Sequence, residues 1–157
     1  MCHRLPLHML VLMSSAWAGQ ADEPKSQATA QEKKLLDLTN AERKKEELPP
    51  LKLNPTLMKL ARAHSKNMAK QAKMEHTLDD KSPRDRIIDA KYQFRNFGEN
   101  IAYELGDIDM PAVMKGWMDS PGHRKNIMNK DFTEIGLSLA TNEKGETYYT
   151  QVFARPR

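Results

Sequence analysis

Three histidines beyond the first twenty residues are the side chains best suited to metal binding or proton transfer. One of them, His123, closes the segment Ser120-Pro121-Gly122-His123, which predicts an N-cap followed by the first turn of a helix. Because the positive end of a helix dipole disfavours another positive charge, the imidazole of His123 is expected to be neutral near pH 7. A neutral imidazole can bind a metal ion or accept a proton. The alternative is a surface histidine without a function.

Glu99 and His76 each have a simpler local explanation. Glu99 follows Gly98, which permits a backbone turn, and its carboxylate could complement the N-terminus of a helix through Ile101 and Ala102. His76 lies just past a predicted helix, where a histidine can serve as a C-terminal cation. Neither explanation requires a functional site.

Local motifs do not bring these residues together. The sequence contains no G-x-S-x-G, no P-loop and no H-E-x-x-H pattern, and His76 lies 47 positions before His123. The remaining histidine, His64, lies on the apolar face of a predicted helix and is expected to be a core residue or an indirect partner of the site rather than a ligand. Trp117 lies one turn from Val113 and is expected to pack in the core.

The first 18 residues have the layout of a secretory signal peptide. Arg4 provides a basic start, residues 5–13 are mostly apolar, and Ala16-Trp17-Ala18 matches the A-x-A cleavage pattern. The apolar stretch is shorter than the roughly 20 residues that span a bilayer. Cleavage after Ala18 removes the single cysteine, so the mature chain is expected to form no disulfide and to be secreted or periplasmic. An irregular N-terminus of a cytosolic protein is the alternative.

The charge pattern argues against nucleic-acid binding. The formal net charge is +4, and no block of Lys and Arg alternates with stacking aromatic residues. One stripe of basic residues follows helical spacing, which is typical of a solvated helix face. The sharper interpretation is weak docking to anionic envelope polymers or lipid headgroups. The stripe comprises Lys59, Arg62, Lys66, Lys70 and Lys73.

The pattern of elements predicts an α+β domain over residues 31–157, preceded by a disordered polar spacer at 19–30. A first helix begins at Gln31 and ends before Pro49, and further helix starts are predicted at Asn54, Ser82, Asp109 and Ser120. The C-terminal segment alternates with period two on both sides of residues 142–145, which predicts a β-hairpin.

Several segments, in order and at regular intervals, resemble the CAP superfamily, which includes the SCP-like and pathogenesis-related-1 proteins. The resemblance covers about residues 33–155, and its most specific part is the run from Trp117 to Ile127 together with the Gln151-Val152-Phe153 ending. The other matching segments are residues 38–43 (LTNAER), 50–61, 74–76 (MEH), 98–102 (GENIA) and 135–137 (IGL).

The resemblance implies a three-layer α-β-α sandwich with a small, largely antiparallel sheet. It also implies a cleft in which two histidines and two acidic residues meet, and His76, Glu99 and His123 match three of these positions. The fourth position holds Ser120 where eukaryotic members have glutamate, and the neighbouring Asp119 would point elsewhere. Bacterial members often carry this serine.

Two histidines and one carboxylate suit Zn²⁺ with an open coordination position. Glu99 is expected to be the third ligand, a general base, or a partner that orients an imidazole. The family is linked to lipid, sterol and metal binding, and in a few cases to hydrolysis. The main hypothesis is therefore a ligand-binding module of the cell envelope or exterior, with a small ligand, a lipid or an envelope polymer as partner. A metal-assisted hydrolase of envelope peptides or polysaccharides is the alternative, and interaction with another protein through the helical faces is a third class.

Overall fold

A computed structural model describes residues 27–157, in which helices and strands are interspersed and the last two strands follow the last helix. The predicted signal peptide (1–18) and the spacer up to residue 26 lie outside the described residues. Within 27–157, no helix has the length and apolar character needed to cross a membrane. The elements are α1 (Ala30–Lys45), β1 (Lys52–Leu53), α2 (Pro55–Gln71), α3 (Pro83–Asp89), β2 (Phe94–Leu105), α4 (Met110–Asp119), α5 (Pro121–Ile127), β3 (Glu134–Thr141) and β4 (Glu146–Pro156).

The first helix begins one residue before the predicted boundary at Gln31. Thr29 and Glu32 form a capping box, in which the Thr29 hydroxyl accepts from the Glu32 amide and the Glu32 carboxylate accepts from the Thr29 amide. Arg62 of α2 binds the same carboxylate and the carbonyl of Gln27. Residues 27–30, expected to be part of the spacer, therefore belong to the folded domain. Arg62 is engaged here, so it does not belong to a free basic stripe.

The other predicted helix starts agree with the structure. Asn54, Ser82 and Asp109 each accept a hydrogen bond from a backbone amide in the first turn of α2, α3 and α4. The fifth helix begins at Pro121 as expected, but the Ser120 side chain makes no capping hydrogen bond. The hydroxyl of Ser120 is therefore not needed to start α5.

The four strands form one sheet in the order β1-β3-β4-β2. The β1–β3 pair is parallel and short, whereas β3–β4 and β4–β2 are antiparallel. The predicted C-terminal hairpin is thus confirmed, with its loop at residues 142–145. Gly145 has a φ of 76°, a conformation that glycine adopts without strain.

One expectation about Glu99 is wrong: the segment that follows it is not a helix. Glu99 lies within β2, whose residues pair with β4 along nearly the whole strand, and Glu99 itself lies opposite Val152. The three consecutive residues 99–101 are all buried because helices cover both faces of the sheet here. Burial on both faces removes the alternation of polar and apolar residues that marks a strand in a sequence.

Helices cover the sheet on both sides, which confirms the α-β-α sandwich. The first, fourth and fifth helices contact one another and pack on one face, while α2 and α3 pack on the other. A large apolar cluster that includes Leu35, Trp117 and Phe153 fills the first interface, and two smaller clusters around Leu57 and Met68 lie beneath α2. The two interfaces hold β2 from both sides, so its polar residues are fixed in position.

Candidate functional site

Glu99 is a buried carboxylate with both oxygens engaged. Its side chain is 3% exposed. One oxygen, Oε1, lies 2.8 Å from Nδ1 of His76, and the other, Oε2, accepts a hydrogen bond of 2.5 Å from Nη2 of Arg86. Burying a charge in this way requires paired, hydrogen-bonded partners, and the guanidinium supplies the opposite charge. Glu99 is therefore the centre of a polar cluster with His76 and Arg86.

The segment between α2 and α3 carries His76 and is held in place by Arg86. Nη1 of Arg86 donates to the carbonyl of His76 at 2.7 Å and to the carbonyl of Lys81 at 3.0 Å. The second helix ends at Gln71, so His76 lies beyond its last turn. The imidazole of His76 pairs with Glu99 and does not serve as the C-terminal cation of this helix. Arg86 is not among the site residues predicted from the sequence. The local signal in the sequence for α3 is the capping box at Ser82, which starts the helix shortly after His76. It indicates the helix but not the contact of Arg86 with Glu99.

His64 lies behind Glu99, on the buried face of α2, as predicted. It is 2% exposed, and its Nε2 lies 3.9 Å from Oε1 of Glu99 without a hydrogen-bond partner in the described part of the chain. Burial lowers the pKa of His64, and the negative charge of Glu99 offsets part of that effect. His64 is therefore expected to be neutral, and it packs against Glu99 on the side of the protein interior.

His123 is the third residue of α5 and is anchored to β2 by its backbone. Its carbonyl accepts a hydrogen bond of 3.2 Å from the Asn100 side chain. Burial lowers the pKa of His123, and the charge of His76 lowers it further. Both effects favour the neutral form expected for His123.

A cavity of about 440 Å³ lies between β2 and α4. Its walls are mostly apolar and include Ile101 and Ala102 on the strand and Val113 and Trp117 on the helix, and His123 stands at its edge. The indole of Trp117 is held by a hydrogen bond from Nε1 to the carbonyl of Ile101 at 2.9 Å, so the predicted packing role is confirmed. Of the three predicted site residues, His123 lines this cavity, while the carboxylate of Glu99 is buried behind the strand.

The fourth family position is also part of the cavity wall. Ser120 lies at the junction of α4 and α5 and lines the cavity. The neighbouring Asp119 points away, as predicted, because its carboxylate pairs with Lys115 at 2.5 Å on the exposed face of α4. A hydroxyl therefore stands where a carboxylate would complete the family's four-residue set.

The donor set allows a test of whether the site fits a metal ion. Within residues 27–157, no group of three or more His, Cys, Asp or Glu side chains is arranged to hold a metal. Because Arg86 and His76 occupy the oxygens of Glu99, this carboxylate suits the orientation of His76 better than direct coordination. If Nδ1 of His76 donates to Glu99, its Nε2 keeps a lone pair for a ligand. This leaves His76 and His123 as the candidate metal donors, with Glu99 bound to one of them.

The burial of neutral His64 predicts an acid sensitivity of folding. The ordinary pKa of 6.5 applies in the unfolded chain and a lower pKa in the folded one. Below about pH 6.5 the unfolded state therefore binds a proton that the folded state does not, and stability falls as pH drops toward the folded pKa. This histidine contributes a slope of up to about 1.4 kcal/mol per pH unit. Urea unfolding between pH 7.5 and 5 measures the slope, and His64→Gln is expected to reduce it. An unchanged slope in this variant would contradict the assignment.

Comparisons with known proteins agree with the fold. Residues 36–153 match the family model described as CAP, the cysteine-rich secretory protein family. The chain is 42% identical over 129 residues to the uncharacterized protein YkwD of Bacillus subtilis (strain 168), covering 82% of this chain and 48% of that protein. It thus spans about half the length of this curated relative.

Two solved structures are similar to the chain. An extracellular protein with an SCP domain from Bacillus anthracis str. Ames has a TM-score of 0.66 and 35% identity, covering 78% of this chain and 39% of its own. An outer surface protein from Borrelia burgdorferi has a TM-score of 0.75 and 24% identity, covering 83% of this chain and 97% of its own, and shows the shared fold. The chain belongs to the CAP family.

Proposed function

We propose that this chain is an exported ligand-binding protein of the cell envelope or exterior. The cavity between β2 and α4 carries the proposal, because concave, mainly apolar pockets with a few polar groups at the edge are the usual form of small-molecule sites. His123 and Ser120 provide the polar edge. The extracellular and outer-surface descriptions of two similar proteins support the location.

The cavity favours a ligand with an apolar body and a polar head, such as a lipid. Ile101, Val113 and Trp117 can cover an apolar chain. Met74 and Tyr103, which are 49% and 41% exposed, also line the cavity and extend its apolar surface. The polar edge would then bind the head group of the ligand.

A tryptophan fluorescence titration tests this proposal. The sequence has two tryptophans, and Trp17 lies in the predicted signal peptide, so in the protein without residues 1–18 the signal comes from Trp117 in the cavity wall. Palmitate is expected to change this signal and reach saturation. Gly116→Leu should weaken binding at least about tenfold, because Gly116 lines the cavity and a Cβ there meets no atom within 4 Å, so the added side chain can fill the cavity.

The control is Gly122→Leu, which adds the same side chain in α5 outside the cavity wall, where a Cβ also meets no atom within 4 Å. It is expected to bind palmitate like the parent protein. A signal that does not saturate, or equal affinity in the two leucine variants, would count against the cavity as the ligand site.

We further propose that His76 and His123 hold a divalent transition metal, with Zn²⁺ as the best candidate. Glu99 would orient His76 from behind. A bound zinc ion would supply Lewis acidity and a water of lowered pKa. The remaining coordination positions would be open to water or to the head group of the ligand.

Calorimetric titration with Zn²⁺ tests the metal site. His76→Ala and His123→Ala should each reduce affinity at least about tenfold, while His64→Ala is the control among the histidines and should bind. Affinity should fall as pH drops through the histidine range, since an imidazole must be deprotonated to bind. Equal affinity in the wild type and both cleft variants, with the fold intact, would refute the site. Loss of binding in His64→Ala alone would show that another histidine is the ligand.

The geometry favours binding over the hydrolase alternative. A general base needs a free carboxylate oxygen near the substrate, and both oxygens of Glu99 are engaged by His76 and Arg86. Zinc-dependent turnover of an envelope peptide or polysaccharide, abolished by a chelator, would support the hydrolase instead. Saturable binding without turnover supports the binding protein.

A further inference from the structure

A second cavity, outside the cleft described above, is surrounded by positive charge. It has a volume of about 330 Å³ and lies where the α3–β2 connection meets the end of β4. Four basic residues contribute to its lining, and no aspartate or glutamate side chain does. They are Arg84, Lys91, Arg95 and Arg157.

Nearby acidic side chains compensate these four cations only in part: Arg84 interacts electrostatically with Asp85, and Glu134 is bound to the hydroxyl of Tyr92. None of them forms a salt bridge to an Asp or Glu side chain among residues 27–157. Asp85, the sequence neighbour of Arg84, is bound to the hydroxyl of Ser82. Arg157 donates through Nε to the carbonyl of Phe94, which leaves its other guanidinium nitrogens for a ligand. Positive charges that lie close together without salt bridges repel one another and attract an anion.

Lys91 has a left-handed backbone conformation at the end of α3, as Glu47 and Ala72 have at the ends of α1 and α2. Lys91 has a φ of 55° and follows α3 at the position where helices usually end with glycine. A residue with a side chain is less stable than glycine in this left-handed conformation, because its Cβ approaches the following carbonyl oxygen. Glycine would be more stable there, whereas lysine adds a charge at the edge of the cavity.

We propose that this cavity binds the phosphate group of a phosphate ester. Planar guanidinium groups match the geometry of phosphate oxygens and can donate two parallel hydrogen bonds. A ligand with a single carboxylate carries one negative charge, whereas a phosphate ester carries about two, so the phosphate matches the four cations better. The side chains of Tyr92 and Phe94 also line the cavity, and they provide a surface for the carbon atoms next to the phosphate. The site is separate from the cleft, because the cavity includes the first residues of β2 and the cleft begins at Ile101.

The test is an NMR titration of the ¹⁵N-labelled protein with glycerol 3-phosphate, the simplest such ester. We expect saturable shifts of the amides at residues 91–95, and none with glycerol. Arg84→Gln/Arg95→Gln should weaken binding at least about tenfold. Lys91→Gly should also weaken binding without loss of stability, since glycine accepts the positive φ.

The matched control is Lys59→Gln/Lys73→Gln. It removes the same net charge from exposed positions of α2 and its end, and it should change affinity less than about twofold.

Two further probes, inorganic phosphate and phosphatidylglycerol vesicles, distinguish the possible sources of the phosphate group. Inorganic phosphate that binds as well as the ester would show that the phosphate group alone is recognised, and weaker binding would show that its carbon atoms contribute. Either result supports the proposal. Equal loss of affinity in the two double variants would overturn it in favour of general charge attraction. Binding to phosphatidylglycerol vesicles without any binding of glycerol 3-phosphate would overturn it as well.

Discussion

Replacing Arg43 with methionine is expected to lower the free energy of unfolding by about 3 to 5 kcal/mol. Arg43 is fully buried, and no carboxylate among residues 27–157 pairs with it. Its guanidinium donates to four backbone carbonyls, which belong to Pro49, Ile127, Asn129 and Phe132. Methionine fills a similar volume but leaves these acceptors without donors in a dry interior. Since the Ile127 carbonyl ends α5, the loss should also loosen the helix that carries His123.

Urea unfolding of Arg43→Met measures this effect. Arg124→Met is the control, because Arg124 is an exposed arginine whose partner is Glu46, and such surface pairs contribute about 1 kcal/mol or less. If Arg43→Met loses less than about 1 kcal/mol, the four hydrogen bonds do not stabilise the fold as expected. A variant that does not fold, next to a folded Arg124→Met, would agree with the expectation.

The second large effect is expected at Gly136, where β3 passes directly beneath α2. A Cβ at this position would lie 2.0 Å from the backbone carbon of Leu57 and 2.4 Å from the amide nitrogen of Met58. Because backbone atoms of a packed helix cannot give way one by one as the end of a flexible side chain can, Gly136→Ala should push the whole of α2 away from β3 and cost about 3 kcal/mol or more. The second helix carries His64, so the support behind Glu99 would be displaced as well.

Thermal and urea unfolding of Gly136→Ala, with Gly116→Ala as the control, test this prediction. A Cβ at Gly116, inside α4, meets no atom within 4 Å, and alanine there should stabilise the protein by about 0.5–1 kcal/mol. Alanine is thus expected to lower the free energy of unfolding at Gly136 and to raise it at Gly116. Similar small effects at both would show that β3 and α2 are not in such close contact.

Short-range signals in the sequence were sufficient to predict most of the helices and the hairpin. Asn54, Ser82 and Asp109 were assigned as N-caps from their own turns, and the hairpin followed from its alternating residues. The burial of His64 also followed from the spacing of its apolar neighbours. These features depend on atoms a few residues apart, so the local sequence contains the information needed to predict them.

The site itself needed more than the local sequence. The resemblance to the CAP family identified His76, Glu99 and His123, but it did not indicate what holds them. Local reasoning treated Glu99 as a residue at a helix start, because β2 is covered on both faces and lacks the alternating pattern of a strand.

The starts of most helices, the hairpin and the histidine on the buried face of α2 can therefore be read from short stretches of sequence. The contacts of Arg86 in α3 with the carboxylate of Glu99 in β2 and with the carbonyl of His76 in the preceding segment become visible only in the packed domain. A salt bridge between separate elements depends on the register of the sheet and the path of the connecting segment. Neither is encoded within a few neighbouring residues, so the role of Glu99 as a partner of His76 emerged only when the elements were packed together.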